Sequence, residues 1–314
     1  MASPSDFRAR APVALVTGLA GFTGRYVAHA LEAVGWRVVG LSQRTSEDAP
    51  DVAVDLLDRE AVANSVQAAG ADAVVHLAAI SFVAHGDADA IYQVNVAGTR
   101  NLLEALANAG KPPAIVVLAS SANIYGNSTD DPITEATSPA PANDYAVSKL
   151  SMEYMARLWM DRLPIAITRP FNYTGVGQAD HFLIPKIVAH FRRGERRIEL
   201  GNLQVWRDFS DVRMVAEAYA RLVSAAPAGG VFNICSGQVH SIQDVLDMMS
   251  DIAGYRIDVR VNPDFVRATD VERLSGSRQR LEAVVGELPA IPLCETLRWM
   301  YACDGLPAGT APAH

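Results

Sequence analysis

The stretch from Val13 to Val34 restricts the fold more than any other part of this chain. Val13-Ala14-Leu15-Val16-Thr17 is a short, uninterrupted apolar run, the pattern of a parallel strand buried on both faces. It breaks at Gly18-Leu19-Ala20-Gly21-Phe22-Thr23-Gly24, and apolar residues then recur at Tyr26, Val27, Ala30, Leu31 and Val34 with helical spacing. A strand that turns this tightly into a helix is the first half of a β-α-β unit. Glycines at 18, 21 and 24 let the backbone approach a pyrophosphate and present it to the positive end of the helix. Gly18, Gly21, Phe22, Thr23 and Gly24 are therefore candidate dinucleotide contacts.

The following residues repeat the alternation. Strand-like runs at Arg37–Leu41, Ala73–Leu77, Ile115–Ala119 and Ile165–Thr168 are separated by helical patterns, one from Asp89 to Ala109 and one beginning near Asn143. This order predicts an α/β protein with a doubly wound, Rossmann-like parallel sheet. The second strand ends in Ser42-Gln43-Arg44 and not in a carboxylate, which suits a 2′-phosphate and favours NADP(H), with NAD(H) as the alternative. Asp55 and Leu56 follow another short strand, where a carboxylate can reach an adenine amino group. The Ala73 strand ends at Leu77, a candidate cofactor contact, and runs into Ala78 and Ala79, whose small side chains leave room for a cofactor. Beyond Thr168 the alternation becomes irregular, with helices expected near 182–191, 211–224, 241–253 and 277–285 among strands at Arg207–Phe209, Val231–Ile234 and Ile257–Val261. The expected division is a dinucleotide-binding domain at 12–170, with returning segments from about 205–240. A smaller mixed α/β substrate domain at 171–305 interleaves with it, and 1–11 and 305–314 are flexible tails.

The chemistry is concentrated between Ser120 and Lys149. Tyr145 and Lys149 stand four apart, so on a helix both side chains leave one face, a phenol beside an ammonium. A phenol so placed is easier to deprotonate, and a serine hydroxyl from the strand ending at Ala119 can hold a carbonyl oxygen beside it. That is a proton-transfer site for a redox cofactor. A formal net charge of -8 over 314 residues argues against a nucleic-acid binder. Cys235, Cys294 and Cys303 are too far apart for a metal site or a disulfide framework, and His76, His85 and His181 lack ligand spacing, so no metal is expected. No apolar stretch approaches the roughly 20 residues that span a bilayer, and the expectation is a cytoplasmic protein.

The ordered set Thr17-Gly18-x-x-Gly21-Phe22-x-Gly24, His76-Leu77-Ala78-Ala79, Asn95-x-x-Gly98-Thr99, Ser120-Ser121, Tyr145-x-x-x-Lys149 and Arg169-Pro170-Phe171-Asn172 resembles the extended short-chain dehydrogenase/reductases that modify nucleotide sugars. The resemblance runs from Val13 to about Leu297. In the second half, Arg169 to Gln178, Arg207 to Val212, Asn233 to Gly237 and Gly276-Ser277-Arg278 are most similar to the branch that reduces GDP-4-keto-6-deoxy-D-mannose. By resemblance, Ser121, Tyr145 and Lys149 are catalytic, and Asn95 joins the cofactor contacts. Ser81, Phe82, Ser121, Asn123, Asn172, Lys186, Arg207 and Arg278 face a GDP-sugar, and a homodimer forms through helices at 89–109 and 145–160. The resemblance implies GDP-6-deoxy-D-mannose (GDP-D-rhamnose) as product, with the C4 epimer GDP-6-deoxy-D-talose or a 4-epimerase holding NAD as alternatives. Related 4,6-dehydratases carry a glutamate two residues after the active-site hydroxyl. Asn123 stands there and cannot exchange a proton in that way, which disfavours dehydration.

Overall fold

The computed structural model describes residues 10–43, 51–81, 87–263 and 273–303. Its strands are β1 (Val13–Thr17), β2 (Arg37–Ser42), β3 (Asp51–Ala53), β4 (Ala73–His76), β5 (Ile115–Ala119), β6 (Ile165–Pro170), β7 (Asn172–Thr174), β8 (Arg197–Leu200), β9 (Trp206–Asp211), β10 (Gly230–Ile234), β11 (Val239–Ser241), β12 (Asp258–Val261) and β13 (Arg273–Leu274). The helices are α1 (Phe22–Ala33), α2 (Arg59–Ala69), α3 (Ala88–Tyr92), α4 (Thr99–Asn108), α5 (Asp144–Arg157), α6 (Leu183–Arg192), α7 (Val212–Ala225), α8 (Ile242–Ala253), α9 (Gln279–Val285) and α10 (Leu293–Ala302).

Seven strands form one parallel sheet in the order β10-β6-β5-β4-β1-β2-β3. The chain winds outward in one direction from β1 and then in the other from β4, so the two halves part between these neighbours. In open α/β sheets the crevice at the carboxyl ends of such strands is where ligands bind. Burial explains the apolar runs. On β1, Ala14 and Val16 enter a core with Val27 and Leu31 of α1 and Val215 of α7. Val13 and Leu15 enter a second core with Val62 of α2, Leu102 of α4 and Met152 of α5. Both faces are covered, so a polar side chain is carried there only where it is hydrogen-bonded, as Thr17 and His76 are to each other.

The helix expected from Asp89 to Ala109 is broken in its middle. Between α3 and α4, Gln93–Gly98 form a turn of π-helix, a widening often found at functional sites. The remaining chain builds a smaller mixed unit in which β9 pairs antiparallel with β11 and parallel with β7 and β13, while β12 pairs with β8. Helices α6, α8 and α10 close a third core over these strands, with Ile187, Val188, Met249 and Leu297 at its centre. Two strands are expected here from the sequence, Arg207–Phe209 and Ile257–Val261, and they correspond to β9 and β12; β7, β11 and β13 are too short to show a period of two, and β8 begins inside the run of arginines. Arg192, Arg193, Arg196 and Arg197 all lie on the solvated surface, where Arg193 pairs with Glu195 and Arg197 with Asp258.

Candidate active site

A cleft of about 900 Å³ opens at the carboxyl ends of β1, β4, β5 and β6. The glycine turn makes one wall. Gly18 sits at φ +73°, and a Cβ there would stand 2.9 Å from the Ala78 nitrogen; a Cβ on Gly24 would stand 2.3 Å from the Gly18 carbonyl oxygen. No side chain caps α1 at Gly21, so the amides of its first turn have no local acceptor. Gly18, Gly21, Phe22, Thr23 and Gly24 all line the cleft, which gives it a donor set for an anionic group. Among the described residues, the Ser120 hydroxyl is the one buried side-chain polar atom without a protein partner, and Ser120 also lines the cleft. An uncapped helix and an orphaned hydroxyl facing one cavity fit a dinucleotide.

Ser42, Gln43, Asp55, Leu56, Leu77, Ala78, Ala79 and Ser81 line the cleft as well. The Ser42 hydroxyl accepts from the Ala20 amide at 3.2 Å, and exposed Asp55 accepts from the Leu57 amide at 2.9 Å. Arg44 and Phe82 lie outside the described residues. Asn95 is not among the lining residues. Its amide clamps both backbone groups of Ile80, at 2.9 and 3.1 Å, and donates to the Ser148 hydroxyl on α5 at 3.0 Å.

Behind this wall lies a buried relay. Thr99 donates its hydroxyl hydrogen to the Asn95 carbonyl, so toward His76 Nε2, 2.8 Å away, its oxygen only accepts. Nε2 therefore carries the ring hydrogen, and Nδ1 accepts from the Thr17 hydroxyl at 2.7 Å. Burial, with Lys149 nearby, pushes the His76 pKa down to about 3, so the ring is neutral. The relay joins β1, β4 and the π-turn beneath the cleft.

On the opposite wall, the Asn143 side chain caps α5 by accepting from the Ala146 amide at 2.9 Å, which starts the helix one residue before Tyr145. The Tyr145 hydroxyl faces Ser121, whose hydroxyl favours the ionised phenol. Lys149, one turn on, donates its ammonium to the Ala119 carbonyl at 2.7 Å. Ser121, Asn123, Tyr145 and Lys149 share the cleft. The expectation of an easily ionised phenol is not met in the protein alone. Burial pushes Tyr145 up to about 12, against the pull of the Ser121 hydroxyl, and lowers Lys149 to about 8, against the charge of Glu153. Desolvation outweighs the neighbouring charge.

Asn172 lines the cleft, whereas Lys186, Arg207 and Arg278 do not. Lys186 donates to the Glu199 carbonyl, Arg207 to the Trp206 carbonyl, and Arg278 pairs with Glu282 at 3.0 Å. Sequence reading assigned no place in the cleft to Tyr173, Gln178 or Tyr219, all of which line it. The Tyr219 hydroxyl lies 2.8 Å from that of Thr168, 51 positions away. A partner at that separation leaves no local signal.

A parallel doubly wound sheet, a glycine turn at its switch point and a Ser-Tyr-Lys set across the cleft define a nucleotide-dependent oxidoreductase. The chain belongs to the NAD-dependent epimerase/dehydratase family, whose sequence pattern matches residues 14–235. It is 35% identical over 296 residues to GDP-6-deoxy-D-mannose reductase of Pseudomonas aeruginosa, covering 90% of this chain and 94% of that one. It is 33% identical over 273 residues to GDP-6-deoxy-D-talose 4-dehydrogenase of Aggregatibacter actinomycetemcomitans, covering 87% and 90%. Among solved structures, a provisionally named epimerase from Burkholderia cenocepacia superimposes with TM-score 0.88 at 55% identity, covering 92% of this chain and 97% of that one. RMD from Pseudomonas aeruginosa, solved with NADPH, gives TM-score 0.81 at 33% identity, covering 93% and 98%.

Proposed function

We propose that the protein reduces the C4 ketone of GDP-4-keto-6-deoxy-D-mannose to GDP-6-deoxy-D-mannose (GDP-D-rhamnose), using NADPH in preference to NADH. The observation that carries this reading is the surroundings of Tyr145. Asp55, at the end of β3, is the one acidic side chain among the described residues lining the cleft, and Asn123 stands exposed beside Ser121. Elimination of water needs a carboxylate at the sugar; reduction of a ketone needs only a proton donor and a hydroxyl clamp. The similarity to the Pseudomonas reductase supports the same substrate class.

In this reading the dinucleotide is held by Gly18, Gly21 to Gly24, Ser42, Arg44, Asp55, Leu56, Leu77 to Ala79, Tyr145 and Lys149. Bound NADPH supplies hydride to the ketone carbon. Tyr145, with its pKa near 12, carries its proton at neutral pH and donates it to the oxygen as charge develops there. Ser121 hydrogen-bonds the same oxygen, and Lys149 stabilises the tyrosinate left behind. The absence of a carboxylate at Ser42-Gln43 supports NADP, as does the NADPH in the Pseudomonas structure. Asn172, on β7 of the smaller unit, lines the cleft. Arg207, on the strand that pairs with β7, and Arg278 are the phosphate candidates and Lys186 the nucleoside candidate, each outside the cleft lining. Three free cysteines suit the cytoplasm, and among the described residues no helix is long and apolar enough to cross a membrane. A homodimer through α4 and α5 accounts for Tyr154 on α5 and Leu158 just beyond its end, both exposed.

The similarity to the talose 4-dehydrogenase favours one second reading, the C4 epimer as product. The test is to mix the protein with GDP-4-keto-6-deoxy-D-mannose and NADPH or NADH, follow cofactor oxidation, and determine the C4 configuration by NMR. Stoichiometric oxidation with the rhamno product is expected. A talo product would select the second reading, and no oxidation with either cofactor would overturn both.

A further inference from the structure

Two parts of the cleft wall come from different sheets, and one side chain joins them. Thr23 sits in the uncapped first turn of α1, on the seven-stranded sheet. Tyr173 sits on β7, which pairs with β9 of the smaller unit. Their hydroxyl oxygens are 2.8 Å apart, and the Tyr173 ring stacks on Phe22 with centroids 6.1 Å apart and planes 12° from parallel. One turn further along α1, Tyr26 donates to the Val176 carbonyl at 2.8 Å and meets the Trp299 ring edge-on at 6.2 Å. The segment 172–178 is wedged where it passes these rings, since a Cβ on Gly175 would stand 2.5 Å from a Val212 methyl. Gln178 accepts from the Thr174 hydroxyl at 2.7 Å and donates to the Tyr173 carbonyl at 3.3 Å, which closes the segment on itself.

We propose that Tyr173 is a positioning residue that straps the dinucleotide turn to the sugar-nucleotide wall, so that the two ligands bind cooperatively. The inference rests on the proposed reading of the cleft, and it concerns a residue that the hydride and proton steps do not use. Thr23 contributes its backbone to the anion-binding turn, and Tyr173 follows Asn172 directly, so one hydrogen bond fixes a group that faces each ligand. A ligand that orders either end of the strap lowers the entropy the other must still lose, and coupling of this kind is reciprocal.

Tyr173→Phe keeps the stack on Phe22 and removes the hydroxyl; Thr23→Val removes the other half of the bond at nearly constant shape. NADPH affinity is measured by fluorescence titration, with and without GDP as the sugar-nucleotide probe. In the wild type, GDP is expected to tighten NADPH binding by about threefold to tenfold, the span one neutral hydrogen bond can carry. Either variant should weaken NADPH by a similar factor and abolish the effect of GDP, and the double variant should be no worse than the singles. Steady-state kinetics should show both KM values raised with kcat nearly retained. Unchanged coupling in the variants, absence of coupling in the wild type, or losses that simply add in the double variant would overturn the proposal. A wild type that binds no NADPH would sink the dinucleotide reading instead. Should one variant fail to fold, the other carries the comparison alone.

Discussion

At Tyr145 and Lys149 the protein buries two titratable groups and takes from their ionised forms the solvation that water would give. Removing the phenol hydroxyl deletes the proposed proton donor and leaves the glycine turn untouched. Tyr145→Phe is therefore expected to lower kcat by about 10²–10⁴-fold with NADPH affinity nearly unchanged, as read by turnover and titration. Lys149 makes a stability statement. Its folded pKa is lowered from 10.5 to about 8, so between these values the unfolded chain binds more protons than the folded one, and stability rises with pH across that window. Below about pH 8 the cost of burying the ammonium is fully present, less what its bond to the Ala119 carbonyl returns. Lys149→Met should be more stable than wild type at pH 7 by about 1–3 kcal/mol, an advantage that fades toward pH 10.5, while activity is lost. Urea unfolding across that pH range checks the sign, and a variant less stable at pH 7 would contradict it.

Among elements, the glycine turn and the π-turn decide the cleft wall in different ways. The turn was legible in the sequence because backbone crowding demands glycine at fixed spacing. Gly24→Ala would put a methyl group 2.3 Å from the Gly18 carbonyl, against backbone with nowhere to move, so the turn must open. NADPH affinity is expected to fall at least about tenfold and the melting temperature to drop with it, since the strain sits in the folded backbone; wild-type binding by the folded variant would show that the turn does not hold the cofactor. The π-turn at Gln93–Gly98 was not legible, since its apolar spacing continues the helix on either side. Its cause lies elsewhere in the chain. Asn95 must reach Ile80 and Ser148 together, and Thr99 must reach His76, which ordinary helical winding does not require of a sequence.

In the whole molecule, the helix that carries Tyr145 and Lys149 is held from behind by a buried ion pair. Glu153, one turn beyond Lys149, takes two hydrogen bonds from Arg169 at 2.9 and 2.7 Å, and Arg169 also donates to the Tyr125 hydroxyl, which in turn bonds Asn233 on β10. Both charges are almost fully buried, so removing one strands the other. Glu153→Ala is expected to cost about 3–5 kcal/mol, and Glu153→Leu combined with Arg169→Met to cost less than that single change. Chemical denaturation measures both. The outer face of the same helix bears on assembly. Leu158, just beyond its end, is 80% exposed, and Leu158→Glu should turn the proposed dimer into a monomer by sedimentation while leaving the fold intact; a dimer that persists would place the interface elsewhere.

The sequence by itself determined the parallel sheet, the glycine turn and the pairing of Tyr145 with Lys149, because each depends on short-range rules: uninterrupted apolar strands, glycine where a Cβ cannot fit, and side chains one helical turn apart; the choice of Ser121 over Ser120 came from the family resemblance. Only the tertiary structure decided what stands against them. Tyr173 meets Thr23 across 150 positions, Thr17 and Thr99 close on His76, and Arg169 finds Glu153 and Tyr125 from another strand. Such contacts follow from the packing of elements and leave no period or spacing in the chain. The pKa of Tyr145 belongs with them, since it is set by how completely the folded walls exclude water.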